Sequence, residues 1–247
     1  MAEHAGSLGD LELLEIEMRV LWPHDDHGRL QGPEELVLAV APEGITAAVA
    51  GTVPDDLAGH LLDLVEQAAP SSPDRPPQVL KECRTLLDQS MRGPSTVSAG
   101  PSYLASPPVR FGLAAEVLRS DNLNDAQRVR PMRPGNWEPE EWEELIGGGA
   151  GAPWSMIVDN DQVVSICHTP RRTPAGAEAG TWTAQAFRGR GYAAATTAAW
   201  VDLLSPHCPF LFYSTSADNR SSRRVAERLG LRDIGWLWKL TRGPVAG

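Results

Sequence analysis

Lysine is nearly absent: Lys81 and Lys239 are the two lysines among 22 basic residues, and arginine supplies the rest. Together with many Ala and Gly, that bias points to a GC-rich bacterial genome. Cysteine is scarce too. Cys83, Cys167 and Cys208 have no metal-ligand spacing and cannot all pair, so buried free thiols are expected. The sequence lacks an apolar run of membrane-spanning length, and Met1 to Asp10 lacks the basic and apolar regions of a signal peptide. A cytoplasmic protein with no membrane partner is the expectation. Positive charge is in deficit as well, with a net charge of −10, which argues against nucleic-acid binding. Solenoid-length repeats are missing, which excludes repeat architectures.

The 247 residues leave room for one large or two small domains. Charge is unevenly spread. Residues 171–247 hold eleven Lys or Arg against five Asp or Glu, whereas the first 170 hold eleven against twenty-seven. A basic C-terminal part suits an anionic ligand, and equally suits a solvated basic face.

Apolar runs at 36–41 and 45–50 around Pro42-Glu43-Gly44 predict a hairpin, and residues 54–67 predict a helix. Residues 1–92 are therefore expected to form a small N-terminal α/β region. Prolines 70, 73, 76 and 77 predict a linker over 69–77, followed by a helix over 79–91. Residues 93–108, rich in Pro, Gly and Ser, are expected to link that region to a second domain over 109–247. Within the second domain a strand is expected at 115–118, with helices at 122–129 and 138–146. Strands at 154–158 and 163–167 flank the turn Asp159-Asn160-Asp161-Gln162. The strand 177–183, the helix 193–204, the strand 210–214, the helix 223–229 and the strand 233–240 follow.

Arg188-Gly189-Arg190-Gly191-Tyr192-Ala193 lies where the strand 177–183 gives way to that apolar helix. Glycines 189 and 191 tolerate positive φ and let the backbone approach an anion. The helix that follows points its free N–H groups at the same place, and Arg188 and Arg190 add planar multi-donor charge. Farther on, Asn219 opens a helix that closes in Leu229-Gly230-Leu231.

These two patterns, in this order, resemble the GNAT superfamily of acyl-CoA-dependent N-acyltransferases, over about residues 110–245. The loop pattern of Arg or Gln, two residues, Gly, one residue, Gly or Ala falls on Arg188, Gly191 and Ala193. The resemblance implies an α/β (α+β) fold with a mixed, mostly antiparallel sheet flanked by helices. It implies acetyl-CoA as cosubstrate, held by the backbone of Trp182, Thr183 and Ala184, by the loop residues 188–193 including Tyr192, and by Asn219 and Ser222. Asn219 would bond the cofactor or pin the neighbouring strand, and also suits a helix N-cap.

Amide-forming acyl transfer needs a base for the amine, polarisation of the thioester carbonyl and a proton for the leaving thiolate. Glu178 is the first candidate base, because relatives often carry a glutamate on this strand; alternation puts it on a face with Gly180 and Trp182. His168, at the end of the preceding strand, is the rival. The tyrosine that relatives place on the last helix to protonate the thiolate is here Ala226. Ser222, Tyr213 and Tyr192 are candidates to replace it. Trp137, Trp142 and Trp154 are expected in the core or the acceptor cleft, and Trp236 and Trp238 in the core. His24-Asp25-Asp26-His27 lacks the further partner that a metal site needs.

The expected function is N-acyl transfer from acyl-CoA to an amine of a small molecule or protein, by direct attack and without metal. The acceptor would enter beside the helices that carry Glu138, Glu140, Glu141, Glu143 and Glu144, which favour a cation. A non-catalytic acyl-CoA-binding or structural module is the alternative, suggested by Ala226. A dinucleotide-binding oxidoreductase fails on glycine spacing and on the absence of an early strand-loop-helix unit. Residues 1–100 could cover the acceptor cleft, form a homodimer interface or repeat the same fold.

Overall fold

The computed structural model describes residues 8–91 and 93–243. The N-terminal stretch 1–7, part of the segment that argues against a signal peptide, lies outside the described residues. The elements are α1 (Asp10–Leu21), β1 (Glu34–Ala41), β2 (Gly44–Val49), α2 (Asp55–Glu66), α3 (Gln78–Ser90) and β3 (Ser95–Leu104). They continue with β4 (Leu118–Arg119), α4 (Leu123–Val129), α5 (Pro139–Ile146), β5 (Gly151–Asp159), β6 (Gln162–Arg172) and β7 (Gly176–Thr183). A short 3₁₀ turn at Gln185–Phe187, α6 (Tyr192–Leu204), β8 (Phe210–Ser214), α7 (Arg220–Leu229) and β9 (Arg232–Arg242) complete the chain. The architecture is the expected mixed α/β, with mostly antiparallel strands.

Two units share these elements. Of the described residues, the first comprises 8–91, 93–102, 214–219 and 233–243, and the second 103–213 and 220–232.

In the first unit the strand order is β2-β1-β9-β3. The turn Pro42-Glu43 closes the β1–β2 hairpin, with Ala41 opposite Gly44. β1 is buried over seven of its eight residues, which suits a central strand with β2 on one side and β9 on the other. Helix α1 buries Leu13, Leu14, Glu17 and Met18 at the i, i+3, i+4 spacing of one face, and the Glu12 carboxylate takes the Gly9 N–H at 2.9 Å. The Pro-rich segment 69–77 is pinned at Pro73, whose carbonyl accepts the Trp238 indole N–H at 3.0 Å. Residues 95–104, expected as part of a linker, form β3. Gly100 there lies so close to the Thr215 carbonyl that a Cβ would overlap it. The loop at 24–27 is organised by Asp25, whose carboxylate accepts the backbone N–H groups of His27 and Arg29.

In the second unit the order is β8-β7-β6-β5-β4, with β7 and β8 parallel and the rest antiparallel. Asn160 and Asp161, both at positive φ, make the two-residue β5–β6 turn, a conformation that Asn and Asp tolerate. Helix α6 packs on β5, β6 and β7, and Ala194, Ala198 and Val201 face a core with Ala177, Ala179, Leu211 and Tyr213. Trp142, Trp154 and Trp200 are fully buried, and each indole N–H has an acceptor: Arg130 O, Leu145 O and Thr169 Oγ1. All three cysteines are buried free thiols. Burial pushes Cys83 up to about 11 and raises Cys167 and Cys208 as well, so none is a ready nucleophile. Among the described residues no helix is long and apolar enough to cross a membrane.

Candidate active site

The site begins where β7 loses a neighbour. Its parallel pairing with β8 joins Gly176, Ala177 and Glu178 to Phe210, Leu211 and Phe212, and among the described residues it stops there. On its other edge β7 stays paired with β6 as far as Thr183. Backbone groups of β7 beyond Glu178 therefore face an opening rather than a strand. Within that opening the Tyr213 hydroxyl, from the end of β8, lies 3.5 Å from Thr181 Oγ1 and also hydrogen-bonds Ser222 of α7. Burial raises the Tyr213 phenol above its ordinary value, so it stays protonated at neutral pH.

The chain then turns into α6 through residues 184–191. Ala184 donates its N–H to Val164 O at 2.9 Å, and Phe187 donates to Ala184 O at 2.9 Å. Gly189 and Gly191 both have positive φ, at 80° and 86°. Nothing stands within 4 Å of a Cβ at 189, whereas one at 191 would meet the Phe111 ring at 2.9 Å. Gly191 caps α6, whose first turn leaves the N–H groups of Tyr192 and Ala193 without i−4 partners. Arg188 reaches back through Nε to Thr183 O at 3.2 Å, and Arg190 stacks over Phe187 with its guanidinium carbon 4.8 Å from the ring centre. Phe187 in turn stacks on Tyr192. The loop is thus held by its own side chains, with two exposed guanidinium groups beside the helix end.

His168 sits opposite Gly180 in the β6–β7 pairing. Two β6 residues, Thr169 and Pro170, bulge before pairing resumes at Arg171 opposite Glu178. The imidazole packs edge-on to Trp137, with ring centres 5.2 Å apart, and its Nδ1 is buried without a hydrogen-bond partner. Burial pushes its pKa down to about 4, so the ring is neutral at neutral pH. His168 lines a chamber of about 410 Å³ with Trp137, Trp182, Glu141, Glu144 and Gly151. A second chamber of about 400 Å³ is lined by Arg133, Asp161, Gln162 and Ala184, and shares Trp182 and Asn136 with the first.

Glu178 is buried at 5% exposure and lies opposite both Arg171 and Phe212; it does not line either chamber. Trp182, Thr183, Ala184 and the loop 188–193 form one continuous stretch from strand to helix. Ser222 joins the opening through Tyr213. Asn219 belongs to the first unit, where its N–H closes a turn on Ser216 O at 3.0 Å. Of the three tryptophans left between core and cleft, Trp142 and Trp154 are core and Trp137 borders the chamber. Ala226, at the position of the absent tyrosine, is fully buried and offers no proton donor. Among the described residues no group of three metal-ligating side chains gathers.

Strand β7, the glycine turn and the start of α6 follow in the order that the loop pattern implied, and residues 113–232 match the family model described as acetyltransferase (GNAT) domain. The C-terminal segment belongs to the GNAT superfamily. A GCN5-related N-acetyltransferase from Kribbella flavida is similar in fold, at 12% identity and a TM-score of 0.52, with 97% of this chain and 98% of that one covered. A Drosophila protein of known structure gives a TM-score of 0.50 at 12% identity, over 95% of this chain and 88% of that one. At these identities the likeness is one of fold alone. No curated protein matches the chain by sequence. The likeness to the Kribbella structure also extends well outside residues 113–232 of the GNAT domain.

Proposed function

We propose that the chain is an N-acyltransferase that moves an acetyl or other small acyl group from acyl-CoA to an amine by direct attack. The observation that carries the reading is the early end of β7–β8 pairing at Glu178, directly before the loop with two positive-φ glycines at the start of α6. Unpaired β7 backbone suits an amide-bearing chain laid along it, and the α6 N-terminus with Arg188 and Arg190 suits a pyrophosphate. These residues fit acyl-CoA, whose thioester would supply the carbonyl for attack.

The chain's own groups then have three tasks. The backbone N–H of Thr183, on the edge of β7 turned away from β6, polarises the carbonyl, whereas that of Ala184 is already donated to Val164 O. His168, neutral and lining the chamber, accepts the proton of the attacking nitrogen, which becomes acidic as the new N–C bond forms. As the C–S bond breaks, the Tyr213 hydroxyl supplies a proton to the sulfur and is held for that by Thr181 and Ser222. Glu178, two residues from Gly180 on β7, is the alternative base. The chamber favours His168, because His168 lines it and Glu178 does not.

Isothermal titration of acetyl-CoA tests the reading, with Gly189→Asp and Gly189→Asn as the variants. Asn and Asp both tolerate positive φ, and space at 189 is open, so the pair differs in charge. Binding of the wild type that is weakened by Asp far more than by Asn supports the cofactor site. Absence of binding by the wild type overturns it.

A further inference from the structure

We infer that the His168 chamber is built for an amine that carries a second positive charge, as in a diamine; this rests on the acyl-transfer reading for the role of the chamber.

The chamber walls carry an asymmetric set of charges. Glu141 and Glu144, three residues apart on one face of α5, line it, and no basic side chain does. Their neighbour Glu143 is held by Arg130 in an ion pair, whereas among the described residues neither Glu141 nor Glu144 has a cationic partner. His168 adds no positive charge, because burial keeps it neutral. The second chamber differs: Arg133 and Asp161 line it together.

The rest of the wall is aromatic. Trp137 and Trp182 border the space, and Trp137 is locked edge-on between Trp142, at 5.9 Å, and His168. Indole faces attract cations, and a rigid indole loses little freedom on doing so. The Trp137 indole N–H is buried without a partner, as is His168 Nδ1. Unsatisfied polar atoms on both sides of one ring contact are costly for a wall with only a packing role.

The two ends therefore ask for different nitrogens. His168 asks for a nitrogen that can give up a proton. The α5 carboxylates, exposed to solvent, ask for one that stays charged. A monoamine answers the first demand and leaves the second unmet.

The test compares 1,4-diaminobutane with n-butylamine on the full chain, by tryptophan fluorescence and by acetyl-CoA turnover. The diamine is expected to bind about tenfold more tightly, from two partly exposed ion pairs and a cation–π contact. That preference is expected to vanish in a Glu141→Gln, Glu144→Gln variant, whose exposed positions leave folding intact. Equal binding of the two amines, or a preference that survives the double substitution, overturns the inference. Diamine binding without any turnover would instead remove the acyl-transfer reading and leave the chamber's charge selectivity standing.

Discussion

Gly180 and His168 face each other across β7 and β6 so closely that a Cβ at 180 would lie 2.5 Å from His168 Nε2 and 3.0 Å from Pro170 Cδ. The absent side chain is what lets the imidazole lie flat against the sheet beside Trp137. Gly180→Ala is expected to push the ring out of the chamber, with a stability loss of about 1–3 kcal/mol from overpacking. Turnover should fall by roughly a hundredfold, while acetyl-CoA affinity changes little, because a misplaced catalytic group is felt in the rate. Calorimetry beside steady-state kinetics checks both.

The same ring makes stability depend on pH. Its folded pKa is pushed down to about 4, whereas an unfolded histidine titrates near ~6.5. Between those values the unfolded chain binds the extra proton, so stability falls as pH drops through that window and is fully present above it. Burial of the ring is the cause, and ~3 kcal/mol is the upper limit of the effect. Urea denaturation at pH 7.5 and pH 5 should show a larger loss for the wild type than for His168→Gln. Equal losses would mean that the ring is accessible to protons while folded.

Gly191 is a different kind of glycine from Gly189. Both have positive φ, but the space beside Gly191 is filled by Phe111, itself packed among Ile157, Val164 and Ala195. Gly191→Ala is therefore expected to destabilise the fold by about 2–4 kcal/mol, from backbone strain and the clash together. Gly189→Ala should cost only the strain, about 1 kcal/mol. Thermal melts of the two variants check the order, and the reverse order would mean that Phe111 yields freely.

Local chemistry made most of the second unit legible. The β5–β6 hairpin follows from Asn160-Asp161 at its turn, and α6 from an apolar run placed after a glycine loop. Neighbouring residues alone determine such features. β3 reads as a linker from its Ser, Gly and Pro content; Gly100 is there for a close approach to Thr215, more than a hundred residues away. Helix α1 was equally hidden, since acidic residues stand between its apolar positions and one of them, Glu17, is buried. In the site, the glycine loop and the rival base His168 were visible in sequence. The parting of β7 from β8 was not, because it depends on two segments about thirty residues apart. The chamber wall from Trp137 and Glu144 to His168 likewise exists only after folding.

An ion pair in the first unit gives a prediction independent of function. Glu35 takes Arg242 in a two-point contact, Nε to Oε1 at 2.7 Å and Nη2 to Oε2 at 3.0 Å, with both side chains nearly buried. Arg242 also reaches Leu87 O at 3.3 Å. Glu35→Ala would take from a buried guanidinium its two-point carboxylate and leave it weaker partners, among them Asp88 at 3.7 Å; it is expected to cost up to about 3–5 kcal/mol, whereas replacing both residues with apolar ones should cost much less. Urea unfolding of the single and double variants decides between the two.

Tyr213 is the sharpest test of the proton supply, since the helix position that might have carried a tyrosine is the buried Ala226. Tyr213→Phe keeps the ring and its tilted contact with Tyr103 and removes the hydroxyl that meets Thr181 and Ser222. Because the phenol is protonated throughout the neutral range, its loss should lower kcat by roughly 10- to 100-fold with no new pH dependence below pH 8. Ser222→Ala should give a smaller loss, as it only steadies the hydroxyl. An acyl donor whose leaving group needs no protonation should restore most of the Tyr213→Phe rate. Equal defects with both donors would instead place Tyr213 in the structural support of the opening.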